Sequence, residues 1–336
     1  MDFQVHNDFS SFDSKEWNAL VTEGISDVPF LRYEYLKAWW ETRGGGEWKD
    51  ARLMLISARE ADHLTGIAPL FIAEHDGRTA VLLLGSIEIS DYLDLIVRAA
   101  DLGDFLKGLT DFLSASHVKT WRIIDWYNLP ETSPTLAALQ AEAEQRGWNS
   151  SQAVYHPTPI IVLPGSFDAY LATVEKKQRH EIRRKLRRLE ESGRSARWYL
   201  VSDESMLESE TETFLKLMEG DSAKAGFLTA PMRAHMHATV QAAFRDGWLW
   251  MAFLEIDGQK AAGVLNFDYR NRLWGYNSGV DRAFMEFSPG WVLLAYTLQW
   301  AADHGRAEFD FMRGNEEYKY RFGAVNRHVI RAQVSR

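Results

Sequence analysis

Cysteine is absent from the 336 residues of the sequence. This absence excludes disulfide bonds, thiol nucleophiles and metals held by cysteine, and it leaves the redox compartment open. Long apolar runs are absent as well. No stretch of about 18 uncharged apolar residues occurs, and residues 1–10 lack the basic start and apolar run of a signal peptide. We therefore expect a cytoplasmic protein without a membrane span.

A surplus of positive charge is also missing, since the net charge is −9. The chain as a whole therefore has no attraction for nucleic acid or anionic lipid, and any such partner must use a local basic patch. Two catalytic signatures are missing too: Gly-x-Ser-x-Gly, typical of serine hydrolases, and His-Glu-x-x-His, typical of zinc proteases. His235 and His237 would lie on different sides of a helix, so we expect no catalytic metal.

Apolar and aromatic residues are plentiful. With 46% hydrophobic and 25% charged residues the chain should fold as a soluble globule, and its length favours two domains over one. The sequence contains 13 Trp, 12 Tyr and 18 Phe. Because aromatic side chains bury large areas, we expect most of them in the core and some along a cleft.

The order of predicted elements is the same in the two halves of the chain. Each half reads as three antiparallel strands, then a helix at about 102–116 or 290–304, then a strand at 120–126 or 307–312. The halves share little sequence identity, so the repeat is inferred from this order alone. We predict an α/β (α+β) fold of two tandem units, each a mostly antiparallel mixed sheet flanked by helices. The prolines of His156–Pro159 mark the join, which gives domains at 1–157 and 158–336.

A strongly basic helix is predicted from Phe167 to Ser192, where Gly193 ends it. Nine of the thirteen residues from 176 to 188 are Lys, Arg or His. At helical spacing, a basic stripe lies opposite an apolar one. The basic stripe contains Lys176, Arg179, His180, Arg183 and Arg187, and the apolar one contains Leu171, Ile182, Leu186 and Leu189. A solvated charged face and a phosphate-binding surface both explain this pattern.

The stretch from Ser288 to Gly323 contains the strongest functional signal. Ser288-Pro289-Gly290 opens a helix that Gly305 ends, because serine caps free N–H groups and proline already has a helical φ. A short strand then contains Asp310 between two phenylalanines, and a polar aromatic loop follows with Tyr318 to Phe322. Such a unit can hold an anionic ligand at the helix N-terminus.

This stretch and the basic helix resemble the Fem-type (FemAB-like) branch of the Gcn5-related N-acetyltransferase (GNAT) superfamily, which includes acetyltransferases associated with cellulose-synthesis clusters. The resemblance covers residues 160–325 well and the first half weakly. It implies a degenerate GNAT-like domain at 1–157 and a GNAT acyltransferase domain at 158–336. By resemblance, Tyr318-Lys319 is the aromatic–lysine pair of Fem-type transferases, in which the lysine stabilises the developing oxyanion.

In the wider superfamily the pyrophosphate of coenzyme A rests on backbone N–H groups in a Gln/Arg-x-x-Gly-x-Gly/Ala loop before a helix. The equivalent segment here retains only Gly290, and Pro289 has no N–H to offer. This departure favours the Fem-type branch, in which an aminoacyl-tRNA can be the donor. We assign donor binding to Ser288, Gly290 and Trp291, together with Arg179 and Arg183 of the basic helix.

The remaining candidate residues complete a transfer site. Tyr318 or Tyr320 can protonate a leaving group, and Asp310 is either a general base or the partner of Arg313. The resemblance implies acceptor binding by Asp91, Tyr92 and Asp94, and a plain turn explains this segment equally well. Tyr320 is a further candidate for acceptor binding.

The resemblance implies an N-acyltransferase that moves an acyl group from acyl-CoA, first of all acetyl-CoA, directly to a primary amine in a cleft between the domains. The amine would belong to a small molecule, a sugar or a peptide, and no metal is expected. One alternative is an aminoacyl-tRNA-dependent transferase that binds the RNA through the helix at 176–188. Another is a non-catalytic protein that positions a phosphorylated or glycan ligand.

Overall fold

The computed structural model describes residues 1–48, 50–75, 77–115 and 121–336. The chain forms two compact units: unit 1 comprises residues 1–157 and 328–336, and unit 2 comprises residues 158–327. Unit 2 thus begins at the join that the prolines mark. Residues 328–336, which the sequence assigns to the second domain, belong to unit 1.

The described residues form both strands and helices. Those that begin in unit 1 are β1 (Asp2–His6), α1 (Ser14–Glu23), α2 (Tyr33–Arg43), β2 (Arg52–Glu60), β3 (His63–His75), β4 (Arg78–Leu83), β5 (Ile96–Val97), α3 (Leu102–Ser114), β6 (Ile123–Pro130), α4 (Pro134–Gln145) and β7 (Asn149–Val162). Those that begin in unit 2 are α5 (Phe167–Thr173), α6 (Lys176–Glu190), β8 (Ala196–Leu200), α7 (Leu207–Glu219), α8 (Ser222–Phe227), α9 (Ala230–Arg245), β9 (Leu249–Ile256), β10 (Gln259–Tyr269), β11 (Arg272–Val280), α10 (Pro289–Asp303), β12 (Glu308–Asp310), α11 (Glu317–Arg321) and β13 (Val325–Ser335).

In unit 1 the strands lie in the order β1-β2-β3-β4-β6-β13, with β5 beside β3. The pairs are antiparallel except β4 and β6, which run parallel at Ala80 and Val81. Helices cover both faces of this sheet. On one face Leu106 of α3 joins the core cluster, and on the other Trp39 of α2 packs against Phe71. Strands β2 and β3 are therefore buried nearly throughout.

In unit 2 the order is β7-β12-β11-β10-β9-β8, and only β11 and β12 are parallel. Helices α5, α6 and α10 share one core with the sheet. Helix α7 packs on the other face, where Gly279 of β11 permits its close approach. A Cβ atom at Gly279 would lie 2.5 Å from the carbonyl carbon of Leu217. Glycine is needed there because any side chain would push α7 away from the sheet.

The repeat that the element order predicts is confirmed in the fold. Each unit contains three successive antiparallel strands, β2-β3-β4 and β9-β10-β11, then a helix, α3 or α10. A strand parallel to the third one follows, β6 or β12. The predicted mixed sheets flanked by helices are therefore present in both units.

The single basic helix predicted for 167–192 is wrong in one respect, because the structure divides it into α5 and α6. Val174 has an extended backbone with φ −74° and ψ 142°. The Arg179 guanidinium donates to the carbonyls of Leu171 and Ala172, both at 3.3 Å, and so caps the end of α5. The predicted loop around Tyr318 to Phe322 is also largely helical, as α11. The predicted positions 116–120 lie outside the described residues.

None of the described helices is long and apolar enough to cross a membrane.

Candidate functional site

Strands β11 and β12 separate in the middle of unit 2. They pair from Arg272 and Glu308 to Trp274 and Asp310, where β12 ends, while β11 continues to Val280. Beyond Trp274 the edge of β11 that faces away from β10 is therefore not paired with β12. An extended chain with amide groups can add to such an edge as a further strand does. The opening between the two strands is the centre of the candidate site.

A cavity of about 400 Å³ lies at the far end of β11. It is lined by Ser278 and Val280 of β11, by Met218 at the end of α7, and by Lys224 of α8. The Lys224 ammonium donates to the Ser278 carbonyl at 2.5 Å. Burial lowers the pKa of Lys224, and the nearby carboxylates of Asp221 and Glu316 oppose this shift. The Lys224 ammonium is thus part of a cavity lining that is otherwise largely apolar.

The N-terminus of α10 adjoins this cavity, because a Cβ atom at Gly290 would lie 3.1 Å from Cγ1 of Val280. Ser288 adopts a left-handed backbone with φ 53°, and its carbonyl accepts the N–H groups of Trp291 and Val292. Pro289 has no N–H. Among the described residues, the Gly290 N–H has no hydrogen-bond partner. One backbone donor therefore remains available at the positive end of the helix dipole.

Lys185 of α6 reaches the same N-terminus. Its ammonium lies 3.2 Å from Oγ of Ser288 and 4.1 Å from the centroid of the Trp291 ring. Only 17% of its side chain is exposed, and burial lowers its pKa. A cation at a helix N-terminus opposes the dipole. The ammonium also lies 3.8 Å from the Glu181 carboxylate. An anion bound at the helix N-terminus would add a second counter-charge for Lys185, interact favourably with the dipole and accept the Gly290 N–H.

Lys185 was not among the residues that the sequence assigns to the donor, although the sequence holds a signal for it. Lys185 follows Ile182 by three positions and precedes Leu189 by four, so it lies on the apolar stripe of α6. A lysine on the apolar face of a helix indicates a polar contact with a neighbouring element. The donor residues of α6 were predicted from the basic stripe on the other side of the helix.

Arg179 and Arg183, which the sequence assigns to donor binding, contact α5. Arg179 caps the end of α5, and Arg183 lies 3.3 Å from the Asp168 carboxylate. The structure thus joins Ser288, Gly290 and Trp291 with Lys185 and shows no contact of these residues with the two arginines. A donor role for Arg179 and Arg183 stays a prediction.

Lys319 is buried, with 3% of its surface exposed. Its ammonium donates to the carbonyls of Met312, Arg313 and Gly314, at 3.4, 2.9 and 3.2 Å. It also lies 2.9 Å from the Glu316 carboxylate. Met312 and Gly314 both have positive φ, at 62° and 116°, so this loop depends on the lysine that gathers its carbonyls. The role of Lys319 as an oxyanion stabiliser stays a prediction.

Tyr318 presents its hydroxyl beside this loop. Its side chain is 38% exposed, and its ring meets Phe311 edge-on at 5.9 Å. No described residue forms a hydrogen bond with the hydroxyl. Burial raises the pKa of Tyr318, and the Glu316 carboxylate raises it further. Tyr318 is therefore neutral at pH 7, and its hydroxyl can donate a hydrogen bond.

Two carboxylates lie on either side of the loop. Burial acts to raise the pKa of Glu316, but the hydrogen bond and charge of Lys319 outweigh it and hold the pKa below its ordinary value. Asp310 is fully buried and accepts the Met312 N–H at 2.8 Å. It thereby fixes the turn that follows β12. Whether Asp310 acts as a base or pairs with Arg313 stays open.

The residues assigned to the acceptor are distributed between the units. Asp94 of unit 1 is fully buried, and its carboxylate accepts hydrogen bonds from the hydroxyls of Ser26, Ser133 and Thr135 at 2.6 Å and from the Leu95 N–H at 2.8 Å. Tyr92 is also buried, whereas Asp91 is partly exposed. In unit 2, the exposed Tyr320 donates to Asn326 at 2.9 Å. Their acceptor roles stay predictions.

No group of three or more His, Asp or Glu side chains within the described ranges is arranged to hold a metal ion.

Residues 176–320 match the family model described as an acetyltransferase (GNAT) domain. The matched segment is similar to GNAT domains. It contains α6, the end of β11, the α10 N-terminus and Tyr318-Lys319, so each feature described above for the opening in unit 2 lies within the matched segment. The protein is accordingly an acyltransferase.

The fold of the whole chain is similar to that of several solved proteins. The crystal structure of FemX has a TM-score of 0.66 and 13% sequence identity, covering 98% of this chain and 97% of that one. A conserved protein of unknown function from Bacteroides thetaiotaomicron has a TM-score of 0.64 and 10% identity, covering 100% of both chains. L-PGS from Bacillus licheniformis has a TM-score of 0.54 and 15% identity, covering 90% of this chain and 91% of that one. The sequence matches no curated protein.

At these identities the likeness shows the fold alone. Together with the GNAT domain it confirms the Fem-like resemblance and the acyltransferase class that the sequence predicts.

Proposed function

We propose that this acyltransferase moves an acyl group from acyl-CoA, most simply acetyl-CoA, to a primary amine. The observation that carries the proposal is the desolvated Lys185 at the N-terminus of α10, beside the Gly290 N–H. A phosphate of coenzyme A fits these donors, since it brings the negative charge that both the lysine and the helix dipole require. The cavity at Val280 continues from this point along β11.

The pantetheine arm of coenzyme A contains two amide groups and suits the edge of β11 that continues beyond its pairing with β12. In an extended conformation it would bond to backbone groups beyond Trp274 as a strand does. The thioester would then lie near the point where β11 and β12 part, at Asp310. Tyr318 lies eight residues further along the chain, with its hydroxyl unpaired among the described residues.

The chemistry requires few protein groups. The amine nitrogen attacks the thioester carbonyl, the carbon–sulfur bond breaks, and the proton that the nitrogen loses ends on the sulfur of coenzyme A. We assign the relay of this proton to the Tyr318 hydroxyl, which donates its proton to the sulfur as it takes up the proton from the amine. Its raised pKa keeps Tyr318 neutral before and after the step. Lys319 holds the loop that presents Tyr318, and its charge also favours an oxyanion nearby.

Donor binding is tested by titrating coenzyme A and pantetheine against Lys185→Met. Loss of one charge-assisted contact to phosphate should weaken coenzyme A by roughly tenfold or more and leave pantetheine, which lacks the nucleotide phosphates, unchanged. Lys177→Met is the matched control, because Lys177 is exposed on the same helix. Equal weakening by both variants, or no response to any acyl-CoA, would contradict the proposal.

A separate surface of α6 supports a second candidate for the acyl donor. Arg184, Arg187 and Arg188 of α6 line an open surface depression of about 500 Å³, which suits a polyanion such as RNA. One structural relative is named as a putative lysylphosphatidylglycerol synthetase, a name that describes a lysyl product. An aminoacyl-tRNA is therefore the alternative donor. Stabilisation by charged tRNA in a thermal-shift assay, without any response to coenzyme A, would establish it.

A further inference from the structure

Unit 1 contains a cavity of about 580 Å³ that the donor site in the GNAT domain does not involve. Four aromatic side chains form much of its lining: Trp48, His75, Tyr127 and Tyr155. Their rings are inclined to one another. The Trp48 and His75 rings lie at 84° and 4.4 Å, Trp48 and Tyr127 at 45° and 6.2 Å, and Tyr127 and Tyr155 at 69° and 5.1 Å. They surround a space and do not form a flat stacking platform.

Among the described residues, the charged side chains that line this cavity are mainly acidic. Glu47, Asp50 and Glu74 line it with exposed carboxylates. Arg331 also lines it, and its charge is already compensated. Its guanidinium donates two hydrogen bonds to the fully buried Asp125, at 2.8 and 2.7 Å.

Arg331 is an example of a cation bound by an aromatic ring and a carboxylate at this site. Its guanidinium lies 4.5 Å from the centroid of the Tyr127 ring, and the Tyr127 hydroxyl donates to Asp125 at 3.2 Å. The other rings of the cavity offer further π faces beside three carboxylates. Negative potential from ring faces and from carboxylates acts in the same direction, so an anion is disfavoured and a cation is attracted.

We propose that unit 1 binds a small organic cation, an ammonium group that carries methyl or methylene groups, between Trp48, Tyr127 and Tyr155. The rings contact the alkyl groups and the ammonium charge, and the carboxylates at the edge supply the counter-charge. The volume is sufficient for a ligand of this size with room for water. This site goes beyond the proposed acyl transfer and does not require it.

The test compares choline with its neutral isostere 3,3-dimethylbutan-1-ol, in which carbon replaces the charged nitrogen. Isothermal titration of the full-length protein at low salt should show choline binding roughly tenfold or more tighter than the alcohol, because only the charge differs. Equal binding of the two compounds would overturn the proposal. So would the absence of choline binding while methyl glucoside binds, which would indicate a carbohydrate site.

Variants locate the binding. Trp48→Leu keeps an apolar side chain and removes the π face, so it should weaken choline at least fivefold and leave the alcohol nearly unchanged. Glu74→Gln should weaken choline and flatten its salt dependence. The matched control is Glu60→Gln, which removes an exposed carboxylate at the end of β2. Unchanged binding in Trp48→Leu, or equal effects of the two glutamine variants, would exclude this cavity.

The two proposals fail separately. Trp48→Leu should leave the affinity for coenzyme A unchanged, since Lys185 and Gly290 lie in unit 2. Lys185→Met should leave the affinity for choline unchanged. A loss of both affinities in either variant would indicate damage to the fold, which thermal denaturation of the same samples detects.

Discussion

Lys319 illustrates how one side chain can serve structure and chemistry. Its ammonium has three N–H donors, and the structure directs it at three carbonyls and one carboxylate. These contacts hold a loop with two positive φ angles directly before α11. Lys319 therefore positions Tyr318 whether or not it also contacts the reacting carbonyl.

We predict that Lys319→Ala both destabilises the protein and abolishes turnover. Removing the ammonium leaves buried carbonyls and the Glu316 carboxylate without their donor, at a cost of about 3 kcal/mol in the free energy of unfolding. Urea denaturation and steady-state kinetics measure the two effects. If turnover falls while stability is unchanged, the lysine acts only on the transition state, and its structural role is overestimated.

For Tyr318 we predict a catalytic effect without a structural one. Tyr318→Phe keeps the ring contact with Phe311 and should lower kcat by roughly 100-fold, the lower range for general acid catalysis, while KM for acyl-CoA stays the same. Tyr320→Phe is the control, because its hydroxyl donates to Asn326 on the surface. Similar kcat values for the two variants would remove Tyr318 from the reaction.

Alanine substitutions at Asp94 and Asp91 should differ in their effect on stability, because Asp94 is buried and Asp91 is partly exposed. Asp94→Ala leaves three buried hydroxyl donors without an acceptor and should lower the free energy of unfolding by about 3 kcal/mol. Asp91→Ala, at a partly exposed position, should lower it by less than about 1 kcal/mol. Chemical denaturation checks both values. A raised KM for the acceptor in Asp91→Ala alone would keep Asp91, and not Asp94, as an acceptor residue.

At the scale of elements, the contact of α6 with the start of α10 is the feature most directly linked to function. Helix α6 contributes Ile182 and Leu189 to the core, which places Lys185 between them against Ser288 and Trp291. The partial burial of this lysine has a cost in the free protein that a bound anion would offset.

The lowered pKa of Lys185 gives a pH prediction. Between this lowered pKa and the ordinary value of 10.5, the unfolded chain binds more protons than the folded one, so the stability of the free protein rises with pH in that window. A bound phosphate favours the charged lysine and raises its pKa, so coenzyme A binding at alkaline pH should take up protons. Calorimetry in buffers of different ionisation enthalpy measures this uptake. Lys185→Met should lack both effects, and uptake that persists in this variant would assign it to another group.

At the scale of the whole molecule, the chain returns to its first unit at its end. Strand β13 pairs with β6 from Val329 to Ser335, and Arg331 compensates the buried Asp125 there. Unit 1 is therefore assembled from two distant parts of the sequence. The sequence does not predict this return, because a strand pattern does not specify which strand it pairs with.

We predict that deleting residues 328–336 destabilises unit 1 more than unit 2. The deletion exposes the edge of β6 and leaves Asp125 without its arginine, whereas β9 and β10 keep their partners. Hydrogen exchange should therefore accelerate in β6 well before it does in β10. Equal acceleration in both strands would show that the two units unfold as one.

The sequence by itself determined the order of the strands and helices that the two units share. Periodic apolar residues predicted the strands and α10, and the repeated order predicted two α/β units, because such patterns depend only on near neighbours. The resemblance to Fem-type transferases likewise depends on short segments, Tyr318-Lys319 and the start of the helix at Ser288. The acyltransferase class was predicted from this resemblance.

Only the tertiary structure decided which distant residues meet. Lys185 and Ser288 are 103 positions apart, and Asp125 and Arg331 are 206 apart. Trp48 and Tyr155 line one cavity although they are far apart in the sequence. The break between α5 and α6 also depends on a contact between two elements, in which Arg179 of α6 caps the end of α5. Spacing along a chain carries no record of such contacts, because they form only when whole sheets and helices pack together.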